Sequence, residues 1–222
     1  MMLPLAGLAG LLLGLSPAHA QPVPGIAAGA QASFTARCRQ AYLAQDRNAA
    51  RWADSQCAAD WQKVVATGPA AAALIAALPA SGERPVLASL KARMAGVRWN
   101  PRPDSGSLAT GRIGVLAARI DGRGQPASAG VAWGAVGAEI PFDMVGALIA
   151  RGATLMLMSC EQLGAGEGMR RFAGTLPGRA PFTLSIDQRT APTGDAQSHW
   201  FAAVSLDGRH PPRGPTSPCD FL

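Results

Sequence analysis

Residues 153–188 read ATLMLMSCEQLGAGEGMRRFAGTLPGRAPFTLSIDQ, and three short apolar runs in them are set apart by glycine and proline. Ala153–Cys160, Met169–Thr175 and Thr183–Gln188 have the length of strands and are too interrupted to form stable helices. Leu176-Pro177-Gly178-Arg179 between two of them is a tight-turn sequence, because proline presets φ and glycine accepts the left-handed conformation that such turns use. A connection this short joins antiparallel neighbours. The stretch therefore predicts a mainly antiparallel sheet.

Working outward, Ile113–Ile120, Val131–Ile140 and Trp200–Leu206 read as further strands, with Asp121-Gly122-Arg123-Gly124 opening a turn. Alternation in 131–136 places Val131, Trp133 and Ala135 on one face. Pro141-Phe142-Asp143 opens one helix with Val145, Leu148 and Ile149 as its buried face and Gly152 as its stop. The expected order is β-β-α-β-β-β-β. Cys160 ends one strand, and Cys219 lies in a tail carrying Pro211, Pro212, Pro215 and Pro218.

Before the loop Asn100–Gly106 the texture is helical. Ser33 is a candidate N-cap, and Phe34, Cys38 and Tyr42 recur four apart on one helical face. Trp52, Cys57, Trp61 and Val65 form a second stripe. Cys38 and Cys57 are nineteen positions apart, almost 30 Å along a continuous helix at about 1.5 Å per residue, so a disulfide between them demands a turn. Gln45-Asp46-Arg47-Asn48 is the polar stretch where that turn falls. Gly68-Pro69 is expected to end the second helix and open a third, Ala70 to Leu78, closed by Pro79. A fourth would turn Val86, Leu87, Leu90 and Met94 inward.

The N-terminal stretch is of another kind. Leu3 to Leu15 is an uncharged apolar run too short to span a bilayer, Ser16-Pro17 breaks it, and Ala18-His19-Ala20 has the small-x-small form of a signal-peptidase site. Residues 1–20 are therefore expected to be a secretory signal peptide, although the usual n-region Lys or Arg is missing. The domain plan is a signal peptide at 1–20, a flexible leader at 21–32, a helical region at 33–98 and an α+β region at 107–222. The fold class expected is α+β, a disulfide-linked helical segment followed by a mainly antiparallel sheet with one helix.

Export gives the four cysteines their meaning, since thiols in an oxidising compartment pair. Of the three connectivities that four cysteines allow, Cys38–Cys57 with Cys160–Cys219 keeps each bridge within one half of the chain. The localisation expected is periplasmic or secreted, without a membrane span. The chain is 48% hydrophobic, and 20 Lys+Arg against 14 Asp+Glu give a net charge of +6. That excess favours anionic neighbours, although only Lys63 and Lys91 are lysines, and an arginine-, alanine- and glycine-rich composition also follows from a GC-rich genome.

Site chemistry is sparse. Two histidines after residue 20 and no close C-x-x-C pair exclude a zinc site and thioredoxin-like redox chemistry, and no cofactor is indicated. Dispersed tryptophans and unclustered basic residues argue against nucleic acid. Glu161 and Glu167 flank a glycine-rich loop and could act as acid and base in glycoside hydrolysis. The competing reading is an exposed loop whose glutamates pair with Arg170 and Arg171. A relay of Ser159 or Ser198, His199, and Asp187 or Asp195 can be sketched, but the G-x-S-x-G elbow that exposes a nucleophile is missing. The expected function is an exported soluble envelope protein that binds an anionic glycan or another protein through residues such as Arg170, Arg171 and Arg189. The alternative is a hydrolase of a cell-wall or envelope polymer using Glu161, Glu167 and His199.

Overall fold

The computed structural model describes residues 29–136, 144–164, 167–190 and 197–216, with the backbone alone for residues 45, 133–136, 163–164, 190 and 197–199. The signal-peptide reading, the leader up to residue 28, Pro141-Phe142-Asp143, Asp195 and Cys219 lie outside the described residues.

Helix α1 (Ala30–Gln45) starts ahead of Ser33, because Gly29 takes φ 80° as its cap and its carbonyl accepts from the Ser33 N–H at 3.1 Å. Phe34, Cys38 and Tyr42 form the buried stripe that their spacing implies. Asp46 then leaves helical geometry at φ −143°, and its carboxylate accepts from the Asn48 N–H at 2.8 Å, starting a 3-10 turn, Arg47–Arg51. The chain reverses there, as the disulfide argument required. Cys38 on α1 is bonded to Cys57 on helix α2 (Ala53–Ala77), with the two Cα atoms 5.8 Å apart.

Helix α2 runs unbroken through Gly68-Pro69, which corrects the expected division. Proline costs a helix one hydrogen bond and a steric clash, but Pro69 lies on the solvent side of α2. Next to it Ala66, Ala70, Ala71, Leu74 and Ala77 are buried. Apolar burial on that face, gained only if the helix continues, outweighs the local propensity of two residues. Leu78 ends α2 at φ −58°, ψ 128°, the extended geometry that the following Pro79 enforces. Helix α3 (Leu87–Arg93) buries Leu90 and Met94 as expected, whereas Val86 is its exposed cap and does not face inward.

Eight strands follow: β1 (Arg98–Trp99), β2 (Ser107–Ile113), β3 (Leu116–Gly122), β4 (Pro126–Val136), β5 (Thr154–Gly164), β6 (Glu167–Thr175), β7 (Phe182–Thr190) and β8 (Gln197–Ser205), with helix α4 (Met144–Ile149) between β4 and β5. They form one antiparallel sheet in the order β1-β2-β3-β4-β8-β7-β6-β5. The fold is thus α+β, with disulfide-linked helices at its N-terminal end. The single strand expected at Ile113–Ile120 is instead a hairpin, folded at Gly114-Val115 with Gly114 at φ 57°. Apart from Leu108, Ser107–Arg112 carries small and polar side chains without a clear alternation, so β2 left little trace in the pattern. Strand β8 returns to pair with β4, Val131 opposite Ala202, and so closes two meanders into one sheet.

Among the described residues, the helices that pack on this sheet all lie on one side of it. Ile120, Val131, Leu184 and Val204 on the sheet pack with Leu74, Leu90, Met94 and Leu148 from the helices. A second, smaller cluster holds Phe34, Cys38, Tyr42, Ala49, Ala53, Cys57 and Trp61. The two clusters meet within α2. The tail beyond β8 covers the outer edge of β5, where the Gly214 N–H donates to the Met158 carbonyl (3.0 Å) and the Cys160 N–H to the Pro215 carbonyl (2.6 Å). Glycine is required at 214, because a Cβ there would stand 2.9 Å from that of Ser159. Cys160 is itself disulfide-bonded.

Candidate functional site

Among the described residues helices cover only one face of the sheet, so strand alternation decides which side chains share the other. Glu161, Met169, Asp187 and Phe201 stand opposite one another across β5, β6, β7 and β8. The neighbouring row is Ser159, Arg171, Ser185, Ala203, Gly130 and Arg119. Both rows point away from the helices. Glu167 and Arg189, each two residues along its strand from this pair of rows, share the face by the same alternation. Glu161 and Glu167 are diagonal neighbours, about 7–8 Å apart at the backbone.

Thus the register gathers Glu161, Glu167, Arg171 and Arg189, which the sequence separates by up to 28 positions. Glu161 Oε1 lies 3.8 Å from Arg171 Nη1, a loose ion pair with both side chains more than a third exposed or nearly so, at 42% and 35%. Such a pair adds little to stability. Arg170 is not part of the group: it stands opposite Cys160 and Ile186 on the helix side of the sheet, where burial lowers its guanidinium from the ordinary value. His199 pairs through its backbone with Arg189 and Gly134. Ser159 is 4% exposed beneath Gly214, so its hydroxyl is not presented as a nucleophile.

Asp187 has the most unusual setting. Burial raises its carboxyl above the ordinary carboxylate range, against the opposing pull of Arg189, Arg171 and Arg119. Its Oδ1 is buried without a hydrogen-bond partner among the described residues. Arg119 is held twice, by Asp121 Oδ2 at 2.7 Å from Nε and by the Phe201 ring, whose centroid lies 3.8 Å from the guanidinium carbon. Phe201 in turn lies over Gly130, where a Cβ would collide with the ring. Toward the β1 edge, Arg112 stands directly opposite Arg98, and both are exposed. Like charges facing across a strand pair repel, and among the described residues neither arginine is in an ion pair.

Arg98, Arg112 and Arg119 were not singled out by sequence reading. The signal for Arg119 was present in Ala117-Ala118-Arg119-Ile120-Asp121, whose alternation puts Arg119 and Asp121 opposite the buried Ala118 and Ile120. For Arg98 and Arg112 no such signal exists without β2. Among the described residues no group of three or more His, Cys, Asp or Glu could hold a metal ion, and no helix is long and apolar enough to cross a membrane. No family model, curated protein or solved structure matches this chain.

Proposed function

We propose that the protein is an exported envelope protein, released after Ala20 into an oxidising compartment, that binds an acidic glycan on the helix-free face of its sheet. The observation that carries this reading is the unpaired, directly opposed Arg98 and Arg112, with Arg119, Arg171 and Arg189 farther along the same face. An anionic group between two opposed guanidinium groups turns their repulsion into two charge-assisted hydrogen bonds. The alternating carboxylates Asp121, Asp187 and Glu161 suit a sugar chain, whose hydroxyls donate where its acid groups accept. The disulfide between Cys38 and Cys57 supports the compartment.

Calorimetric titration of the oxidised protein with polygalacturonate, with neutral dextran as control, tests this. Binding to the polyanion alone is expected, weakened about tenfold or more by R98Q/R112Q as two charge-assisted contacts are lost. Equal binding to dextran, or none to either, removes the proposal. Release of reducing ends during the titration, abolished by E161Q, would favour the hydrolase instead. The arrangement offers that reading less, since Glu161 already faces Arg171 and Ser159 is buried.

A further inference from the structure

The reversal between α1 and α2 forms a tip remote from the sheet. From Ala53 to Ala66, where α2 enters the main core, thirteen residues at about 1.5 Å each put that tip some ~20 Å beyond the core. Ala49 and Ala53 are fully buried at its base, whereas Arg47, Ala50, Arg51 and Trp52 are exposed. Trp52 is 37% exposed, the one exposed aromatic side chain among the described residues. Its indole is fixed by an edge-on contact with Tyr42 at a centroid distance of 5.0 Å. Asp46, beside Arg47, accepts from the Asn48 N–H, Asp54, the carboxylate nearest Arg51 in sequence, is paired with Arg39 at 3.3 Å, and among the described residues Arg47 and Arg51 have no ion pair. The Cys38–Cys57 bond clamps the two helices directly behind the tip.

We propose that this tip docks the protein on an anionic lipid surface. An indole gains from the interfacial zone, where its ring leaves water while its N–H stays among polar headgroups. Arginines beside it pair with lipid phosphates in the planar geometry that guanidinium favours. A convex tip fits this better than a glycan, which needs a concave groove to bury its rings. Because the tip is locked by a disulfide, little conformational entropy is lost on docking.

The test is co-sedimentation of the full oxidised protein with vesicles of phosphatidylglycerol and phosphatidylcholine, and with vesicles of phosphatidylcholine alone. The wild type is expected to sediment with the anionic vesicles only. R47Q/R51Q should lower the partition coefficient about tenfold or more, and Trp52→Ser should lower it as well. Trp52→Phe, which retains an aromatic edge for Tyr42, separates loss of docking from loss of folding and should bind at an intermediate level. R84Q/R123Q removes the same charge at exposed positions elsewhere and should leave sedimentation unchanged. Equal loss in R84Q/R123Q, retention in R47Q/R51Q, or no binding by the wild type would each overturn the proposal. None of these outcomes bears on the sheet face, whose probe is a soluble glycan.

Discussion

The hydroxyl of Tyr42 donates a 2.8 Å hydrogen bond to Oδ2 of Asp60, joining α1 to α2 inside the small core, where Asp60 is only 3% exposed. The other carboxylate oxygen accepts from Lys63 Nζ at 2.7 Å and from Gln56 Nε2 at 3.3 Å. Burial, with the Asp60 carboxylate adding to it, holds the phenol of Tyr42 protonated well beyond its ordinary range. Because the folded phenol keeps its proton where the unfolded one releases it, this contribution to stability is intact below about pH 10 and lost as pH rises above it. The chain has one tyrosine, so phenolate absorbance reports it alone. Absorbance is expected to rise with alkaline unfolding, later than for a free tyrosine; ordinary titration in the folded protein would contradict the burial of this hydroxyl.

The disulfide beside this network closes a loop of sequence separation 19. On chain-entropy grounds C38S/C57S should cost about 3 kcal/mol. The loss should be local, because the cluster of Phe34, Tyr42, Trp61 and their neighbours is distinct from the core under the sheet. Hydrogen exchange is expected to accelerate across α1 and the first turns of α2 while the central strands keep their protection. Uniform acceleration throughout would mean that the two clusters unfold as one.

Pro69→Ala should stabilise the protein. The substitution restores a backbone donor toward the Val65 carbonyl and removes the steric conflict of a proline inside a helix, together worth about 1–3 kcal/mol. Pro69 is exposed, so no buried contact is lost. Denaturant midpoints of the two proteins give the answer, and a destabilised variant would show that the α2 backbone is bent to suit the proline.

The same helix shows where local reading stops. The hairpin turn of 176–179 and the strands β5 to β8 were legible because each follows from a few neighbouring residues, and the Cys38–Cys57 bond because two helical stripes flank a polar turn. Gly68-Pro69 misled because the opposing effect, burial of Ala70, Ala71 and Leu74 against strands far along the chain, is tertiary. Strand β2 was hidden for a similar reason, since its residues gain their order from Leu116–Gly122 across the turn. Of the site, Arg98, Arg112 and Arg119 were not legible, whereas Glu161, Glu167, Arg171 and Arg189 were legible one by one. Their assembly was not, because only the register decides that Arg171 faces Glu161 while Arg170 lies on the other side.

Glycines 130 and 174 share one arrangement with unequal consequences. Each lies under an aromatic ring, Gly130 under Phe201 and Gly174 under Phe182. Phe182 is fully buried, so Gly174→Ala forces a ring to move within packed surroundings and should cost about 1–3 kcal/mol. Phe201 is partly exposed and can swing outward. Gly130→Ala should therefore cost less in thermal unfolding, and a reversed order would show that Phe201 is the more rigid of the two.

Asp187 connects stability to the binding surface. Its carboxyl is raised by burial in spite of three nearby arginines. The folded state consequently holds this proton at pH values where the unfolded chain has lost it. This contribution to stability is fully present below the ordinary aspartate value and is lost as pH rises through the raised one. Asp187→Asn cannot ionise, so relative to the wild type it should gain stability across that interval and keep the gain at neutral pH. The same change removes one negative neighbour shared by Arg119, Arg171 and Arg189, while Asp121 stays beside Arg119 and Glu161 beside Arg171. It should therefore tighten polygalacturonate binding at neutral pH, and the difference should shrink toward the acidic range, where Asp187 is itself neutral. Stability curves and titrations at matched pH measure the two effects separately. If stability shifts while affinity does not, Asp187 lies outside the glycan's reach; if the wild type gains on the variant as pH rises, attraction to the arginines outweighs burial.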